Sequence, residues 1–213
     1  MNAEQLRTWL LEHIQPSYEQ AYGRRLDKNV MNVSSLVAGT KSYLYHYQTR
    51  KNNPWSATGK PNPFLLRGSA VHALVNHKLN DLDMHELTWI IPWTWADGVT
   101  KDIVLLGHWD NMLPIPNELI LVDWKTTDQA DITKNGFLLR AKRQVGTYRE
   151  ILRLKTGIKY QCFVVILHCN GEKFLIEDID PHELTETEIV QGFDYVKQTA
   201  MNVAREMDAQ GVI

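Results

Sequence analysis

The order of the apolar runs limits what this chain can fold into more than any other feature. Three short runs, ELTWIIPW (86–93), DIVLLGHWD (102–110) and ELILVDWK (118–125), follow one another. Turn signals separate them, ADG at 96–98 and NMLPIPN at 111–117. A helical pattern comes next, from about Gly136 to Lys155, closed by Thr156-Gly157. Two more strand-like runs, YQCFVVILHC (160–169) and EKFLIEDI (172–179), flank Asn170-Gly171. Asn-Gly between apolar runs is the strongest short hairpin signal. Strands, one helix and a further hairpin, with helices at both ends, predict an α/β (α+β) architecture: a central mixed sheet flanked by helices.

The ends read as helices. Leu6, Trp9, Leu10 and Ile14 recur at three- and four-residue spacing, and Pro16 ends or restarts that helix. A second helix is expected from Asn32 or Ser34 to about Gln48. Residues 51–63, KNNPWSATGKPNP, read as a connector, and a third helix follows from about Phe64 to Leu82. The tail from Leu184 to about Ala209 reads as an acidic helix. With 213 residues the chain suits one domain. Residues 1–63 would be an N-terminal helical lid and connector, 64–180 the core and 181–213 the C-terminal helix. No apolar run approaches the roughly 20 residues of a membrane helix. No signal peptide is visible, so a cytoplasmic setting is expected. The two cysteines, Cys162 and Cys169, lie in one apolar run and read as buried thiols.

Net charge is -2, which argues against a polyanion coat protein. The sum hides two opposed regions. Lys125 to Tyr160 holds nine cationic and three acidic residues, while Glu172 to the end holds ten acidic and three basic ones. The basic stretch suits phosphates, and a solvated helix face explains it equally.

The chemistry-bearing residues sit at strand ends. In a strand, Leu121, Asp123 and Lys125 share one face, and Ile120, Val122 and Trp124 share the other. The second face is apolar and is expected to be the buried one. If 102–110 pairs with 118–125, Asp110 stands beside Asp123 and Lys125. Two close carboxylates repel unless a cation sits between them, and hard oxygen donors suit Mg²⁺ or Mn²⁺. An Asp–Lys surface pair at a turn is the bland reading. Upstream, His72 lies one helical turn after Gly68; His77, His85 and His108 are weaker candidates. Downstream, Gln144 and Tyr148 lie on one helix face, with Arg140 a turn earlier. Partial burial against a sheet explains that pair as well.

Gly68-x-x-x-His72, Gly107-x-x-Asp110, Asp123-Trp124-Lys125 and Gln144-x-x-x-Tyr148, in that order, resemble the PD-(D/E)xK nuclease superfamily, in its RecB-like and Cas4-like branch. The likeness covers residues 64 to about 179. It implies a restriction-endonuclease-like core. It implies His72, Asp110, Asp123 and the Trp124 carbonyl as metal ligands, and Lys125 as the residue that positions or activates water. Gln144 and Tyr148 would order the site, and Tyr148, Arg140, Arg143 and Arg67 would contact nucleic acid. Tyr43 and Tyr47, with Tyr45 and Trp55, are candidates for stacking unpaired bases. Relatives in that branch carry four cysteines for an iron–sulfur cluster. Here Gly39-Thr40-Lys41 stands at the N-terminal cysteine position, and no cysteine follows Cys169, so no cluster is expected. The resemblance therefore points to a cluster-free phage, viral or bacterial nuclease. Its activity would be Mg²⁺- or Mn²⁺-dependent hydrolysis of DNA, as an exonuclease on ends or single strands. A structure-directed endonuclease is the alternative. So is a nucleic-acid-binding subunit in a recombination or CRISPR-adaptation complex, with homo-oligomers or recombination proteins as partners.

Overall fold

The computed structural model describes residues 29–52, 85–113, 119–128, 131–170 and 175–211. The expected helices over 6–14 and 64–82 lie outside them, and so do Arg67, Gly68, His72, His77 and Trp55.

Two sheets share one continuous stretch of chain. Strand β1 (Val30–Asn32) pairs in parallel with β3 (Ile103–Trp109), and β2 (His85–Ile91) pairs antiparallel with β3 on its other edge. At Asp110 the strand breaks. It resumes as β4 (Asn111–Leu113), which pairs antiparallel with β5 (Ile120–Thr127) in the second sheet. That sheet continues through β6 (Gln161–Asn170) to β7 (Leu175–Glu183), in the order β4-β5-β6-β7.

This changes two expectations. Run 102–110 is not a meander neighbour of 118–125: β3 pairs with β1 and β2, and the short β4 makes the link to β5. Residues 111–113, expected as part of a turn, are strand. Their Asn111 is fully buried and bonded to the Trp124 side chain, which removes the cost that keeps Asn out of strands.

The parallel β5–β6 pair requires a crossover, supplied by α3 (Phe137–Thr156). Its residues Ala141, Val145, Tyr148 and Ile151 join Leu121, Val164 and Ile166 in the main core. The helix therefore covers the Leu121/Asp123 face, not the Ile120/Val122/Trp124 face expected to be the buried one. The latter is closed too, in a smaller cluster of Ile120, Val122, Val165, Leu167 and Cys169 with Trp124 at its margin. A parallel pair is covered on both faces, so alternation along β5 could not say which face takes the helix. Each wholly buried aliphatic side chain there contributes about 1.5–3 kcal/mol. Both cysteines are buried, and burial pushes the Cys162 thiol up to about 12.

The first described segment contributes to the core. The single helix expected from Asn32 or Ser34 is instead β1 followed by α1 (Val33–Leu36) and α2 (Thr40–Asn52). Gly39 separates the helices at φ 95°, a conformation that ends a helix and favours glycine. Met31, Val33, Leu36, Val37 and Tyr43 pack into the main core. Residues of the expected lid from Met31 to Tyr43 thus contribute to the main core.

The final helix, α4 (Glu186–Ala209), starts with a capping box between Thr185 and Glu188. It crosses α3 where both lack side chains. A Cβ on Gly146 would lie 3.1 Å from Ile189 Cα, and one on Gly192 would lie 3.1 Å from Arg143 Cα. Close approach brings the opposed charges together. Lys142 Nζ lies 2.6 Å from Glu188 Oε1, and buried Arg149 pairs with Glu186 while donating to the Tyr160 carbonyl at 2.9 Å. Arg143 stacks 3.5 Å over the Tyr195 ring. Within α3, Arg153 binds Glu150 at 2.6 and 2.8 Å. Among the described residues, no helix is long and apolar enough to cross a membrane.

Two outcomes test this interface. Gly192→Leu should cost about 1–3 kcal/mol in urea unfolding; an unchanged midpoint contradicts the close crossing. The second is a pH effect. The Arg153 guanidinium holds the Glu150 carboxyl below its ordinary value. The Lys142 ammonium and the Thr185 cap do the same for Glu188, against the opposing pull of burial. A depressed carboxylate gives stability above its unfolded pKa, and that stability is lost as pH falls through the folded one. The melting temperature of Glu188→Gln should therefore lie below wild type at neutral pH, and the gap should close on acidification. A gap that stays constant from neutral to acid pH refutes the assignment.

Candidate active site

The site forms where the strand changes sheets. Past Asp110 the ladder beside β5 is interrupted, and the Trp124 N–H would lose a backbone acceptor. Asp110 Oδ2 takes it instead, at 2.7 Å. This bond ties the Asp110 carboxylate to the residue between Asp123 and Lys125. On the α3 face of β5, Asp123 is fully buried, and its Oδ2 lies 2.6 Å from Lys125 Nζ. Burial alone would lower the Lys125 pKa. The charges of Asp123 and Asp110 and the hydrogen bond to Asp123 outweigh it and hold the ammonium above its ordinary value. The structure thus brings Asp110, Asp123 and Lys125 together.

Helix α3 closes the site from above. Gln144 Nε2 reaches Asp123 Oδ1 at 3.4 Å and the Tyr148 hydroxyl at 3.0 Å. Tyr148 is 2% exposed. Burial raises its pKa strongly, and the Asp123 and Asp110 charges raise it further, so the phenol keeps its proton. Its ring rests on β3: a Cβ on Gly107 would lie 2.3 Å from Tyr148 Cε1. That contact gives a physical reason for glycine three residues before Asp110. It joins two of the sequence motifs directly.

The donor set fits a hard divalent cation. Asp110 and Asp123 offer carboxylate oxygens. A residue's N–H and C=O leave an extended strand on the same edge, so the Trp124 carbonyl is directed toward the Asp110 side. Mg²⁺ keeps several waters and is commonly held by one or two carboxylates. Among the described residues no group of three or more His, Cys, Asp or Glu gathers into a metal cluster. The expected His72 is outside those residues.

Other expected residues are placed elsewhere. His108 Nε2 sits 3.7 Å from Glu86 on β2. Arg140 donates to the Asn135 carbonyl, and Arg143 covers Tyr195. Of the basic residues on α3, Lys142, Arg149 and Arg153 pair with acids of α3 and α4. Of the three tyrosines on α2, Tyr43 is core and Tyr47 packs against it, while Tyr45 is 64% exposed. Burial of Tyr43 removes it as a base-stacking candidate; Tyr45 is the most exposed of the three. Sequence reading missed Asn111, whose side chain receives the Trp124 indole N–H at 2.7 Å.

No family model matches the sequence, and no curated protein does. Solved structures do match in shape. A candidate exonuclease from Eubacterium rectale superposes with a TM-score of 0.56 at 17% identity, over 88% of this chain and 86% of its own. The protein called SSO0001 matches with a TM-score of 0.51 at 17% identity, over 80% of this chain and 76% of that one. The chain shares their fold. An alkaline exonuclease from Laribacter hongkongensis aligns at a TM-score of 0.45 and 14% identity, over 91% and 96% of the two chains.

Gly107→Ala tests the seat of Tyr148. The added methyl must displace the ring, and about 1–3 kcal/mol of stability should be lost. A thermal melt equal to wild type would show that the ring does not rest there.

Proposed function

We propose that the chain is a divalent-metal-dependent nuclease that hydrolyses DNA phosphodiesters, acting as an exonuclease on ends or single strands. The observation that carries this reading is the convergence of Asp110, Asp123 and Lys125 at the sheet transition, with Lys125 Nζ 2.6 Å from Asp123. The sequence resemblance to PD-(D/E)xK nucleases of the RecB-like branch, which carry the same residue types in the same order, supports this reading. The Eubacterium rectale protein of like fold, a candidate exonuclease, supports it further.

In this reading Asp110, Asp123 and the Trp124 carbonyl hold Mg²⁺ or Mn²⁺, with His72 as a further ligand. The bound ion supplies Lewis-acid activation of water and charge neutralisation at the leaving oxygen. Lys125 offers its Nζ hydrogens to the attacking water or to the charge that builds on the phosphate. Gln144 holds Asp123 in place, and the protonated Tyr148 orients Gln144. Water adds to phosphorus as the P–O3′ bond breaks, leaving a 5′-phosphate and a 3′-hydroxyl that takes up a proton. No covalent enzyme intermediate is required.

The test is cleavage of linear and closed-circular DNA, single- and double-stranded, with Mg²⁺, Mn²⁺ or EDTA. Metal-dependent loss of linear substrates alone is expected. Nicking of circles would make the enzyme an endonuclease, and survival of all four DNAs would contradict the proposal. Lys125→Ala should lower the rate by about 10²–10⁴ while metal still binds; full activity in that variant would misplace the site.

A further inference from the structure

Asn111 is a buried polar residue that the reaction outlined above does not use. It lies on β4 opposite Val122. Strand alternation puts Asn111, Val122 and Trp124 on one face, with Trp124 diagonal to Asn111 and within reach of a long side chain. The contact is made: Trp124 Nε1 donates to Asn111 Oδ1 at 2.7 Å. The backbone N–H of the same tryptophan donates to Asp110 Oδ2, also at 2.7 Å. Two consecutive residues, Asp110 at the break and Asn111 on β4, therefore hold one residue of β5 at two points. Asp110 holds its peptide, and Asn111 holds its ring.

The surroundings make an amide here costly. The face belongs to the smaller core cluster, with Ile120, Val122, Val165 and Leu167 buried and Leu113 and Phe163 packed against them. A leucine would fill such a position without a polar group to satisfy. What the amide adds is a fixed angle for the indole, and through it a restraint on the backbone of Trp124. That residue contributes the N–H that Asp110 accepts and the C=O directed at the same edge, from the two peptide groups that flank its Cα.

We propose that Asn111 is a positioning residue for the metal site, acting through the Trp124 ring on the Trp124 carbonyl and the Asp110 carboxylate. The inference rests on the reading of Asp110, Asp123 and the Trp124 carbonyl as the ligands of a divalent cation. Groups that orient metal ligands typically govern affinity by about 10–100-fold.

The test is Mn²⁺ binding followed by electron paramagnetic resonance of the free ion, with no DNA present. It compares wild type, Asn111→Ala, Trp124→Phe and the double variant, alongside the Mn²⁺ dependence of cleavage. Each single variant should weaken Mn²⁺ binding about tenfold or more. The double variant should be no weaker than the worse single, because both remove the same hydrogen bond. Saturating Mn²⁺ should restore most of the cleavage rate. Asn111→Asp, which keeps an acceptor, should bind Mn²⁺ more tightly than Asn111→Ala. Wild-type affinity in Asn111→Ala or Trp124→Phe would overturn the proposal, and so would effects that multiply in the double variant. If wild type binds Mn²⁺ and cleaves DNA while the variants match it, only the role of Asn111 fails. If wild type neither binds nor cleaves, the metal-site reading fails and takes this inference with it.

Discussion

The hydrogen bond from the Trp124 N–H to Asp110 Oδ2 is the interaction on which the rest of this structure turns. A strand that moves from one sheet to another leaves its old neighbour with unsatisfied backbone groups, and such groups are costly when buried. Here a carboxylate completes the ladder. The repair fixes a negative charge at the sheet transition, next to a second carboxylate that is fully buried. Two such charges are tolerable only beside a cation. Lys125 supplies one, and the arrangement leaves oxygen donors for another.

The second requirement is a roof. The β5–β6 crossover lays α3 over the Asp123 face, and the Tyr148 ring reaches β3 only because residue 107 is glycine. Gln144 then spans from Tyr148 to Asp123. The C-terminal helix locks α3 in turn, through a glycine crossing and paired charges. The net charge of -2 thus has a structural meaning. The Lys142–Glu188 and Arg149–Glu186 pairs join the basic middle to the acidic tail across α3 and α4, so these two cations already have acidic partners.

Much of this was legible in the chain. Alternation in LILVDWK placed Asp123 and Lys125 on one face, and the apolar runs marked β2, β3, β5, β6 and β7 with the crossover helix between β5 and β6. The unread parts have physical reasons. Asn111 sits in NMLPIPN, a composition that signals a turn, because nothing local shows that an indole thirteen residues away will satisfy its amide. The face of β5 that takes the helix was misjudged because both faces are closed. Tyr43, Tyr45 and Tyr47 look alike in sequence, and only packing separates the core Tyr43 and the half-buried Tyr47 from the exposed Tyr45. Gly39 gave no local warning that one expected helix would become two.

We propose that the paired carboxylates at the sheet transition hold the divalent cation that DNA cleavage would require. The most direct measurement is Asp123→Asn beside wild type, with Mn²⁺ affinity and single-turnover cleavage of end-labelled linear DNA read on the same preparations. Both should fall together, cleavage by at least about a hundredfold, while the fold is kept. Asp123→Asn protein that cleaves as fast as wild type would contradict it.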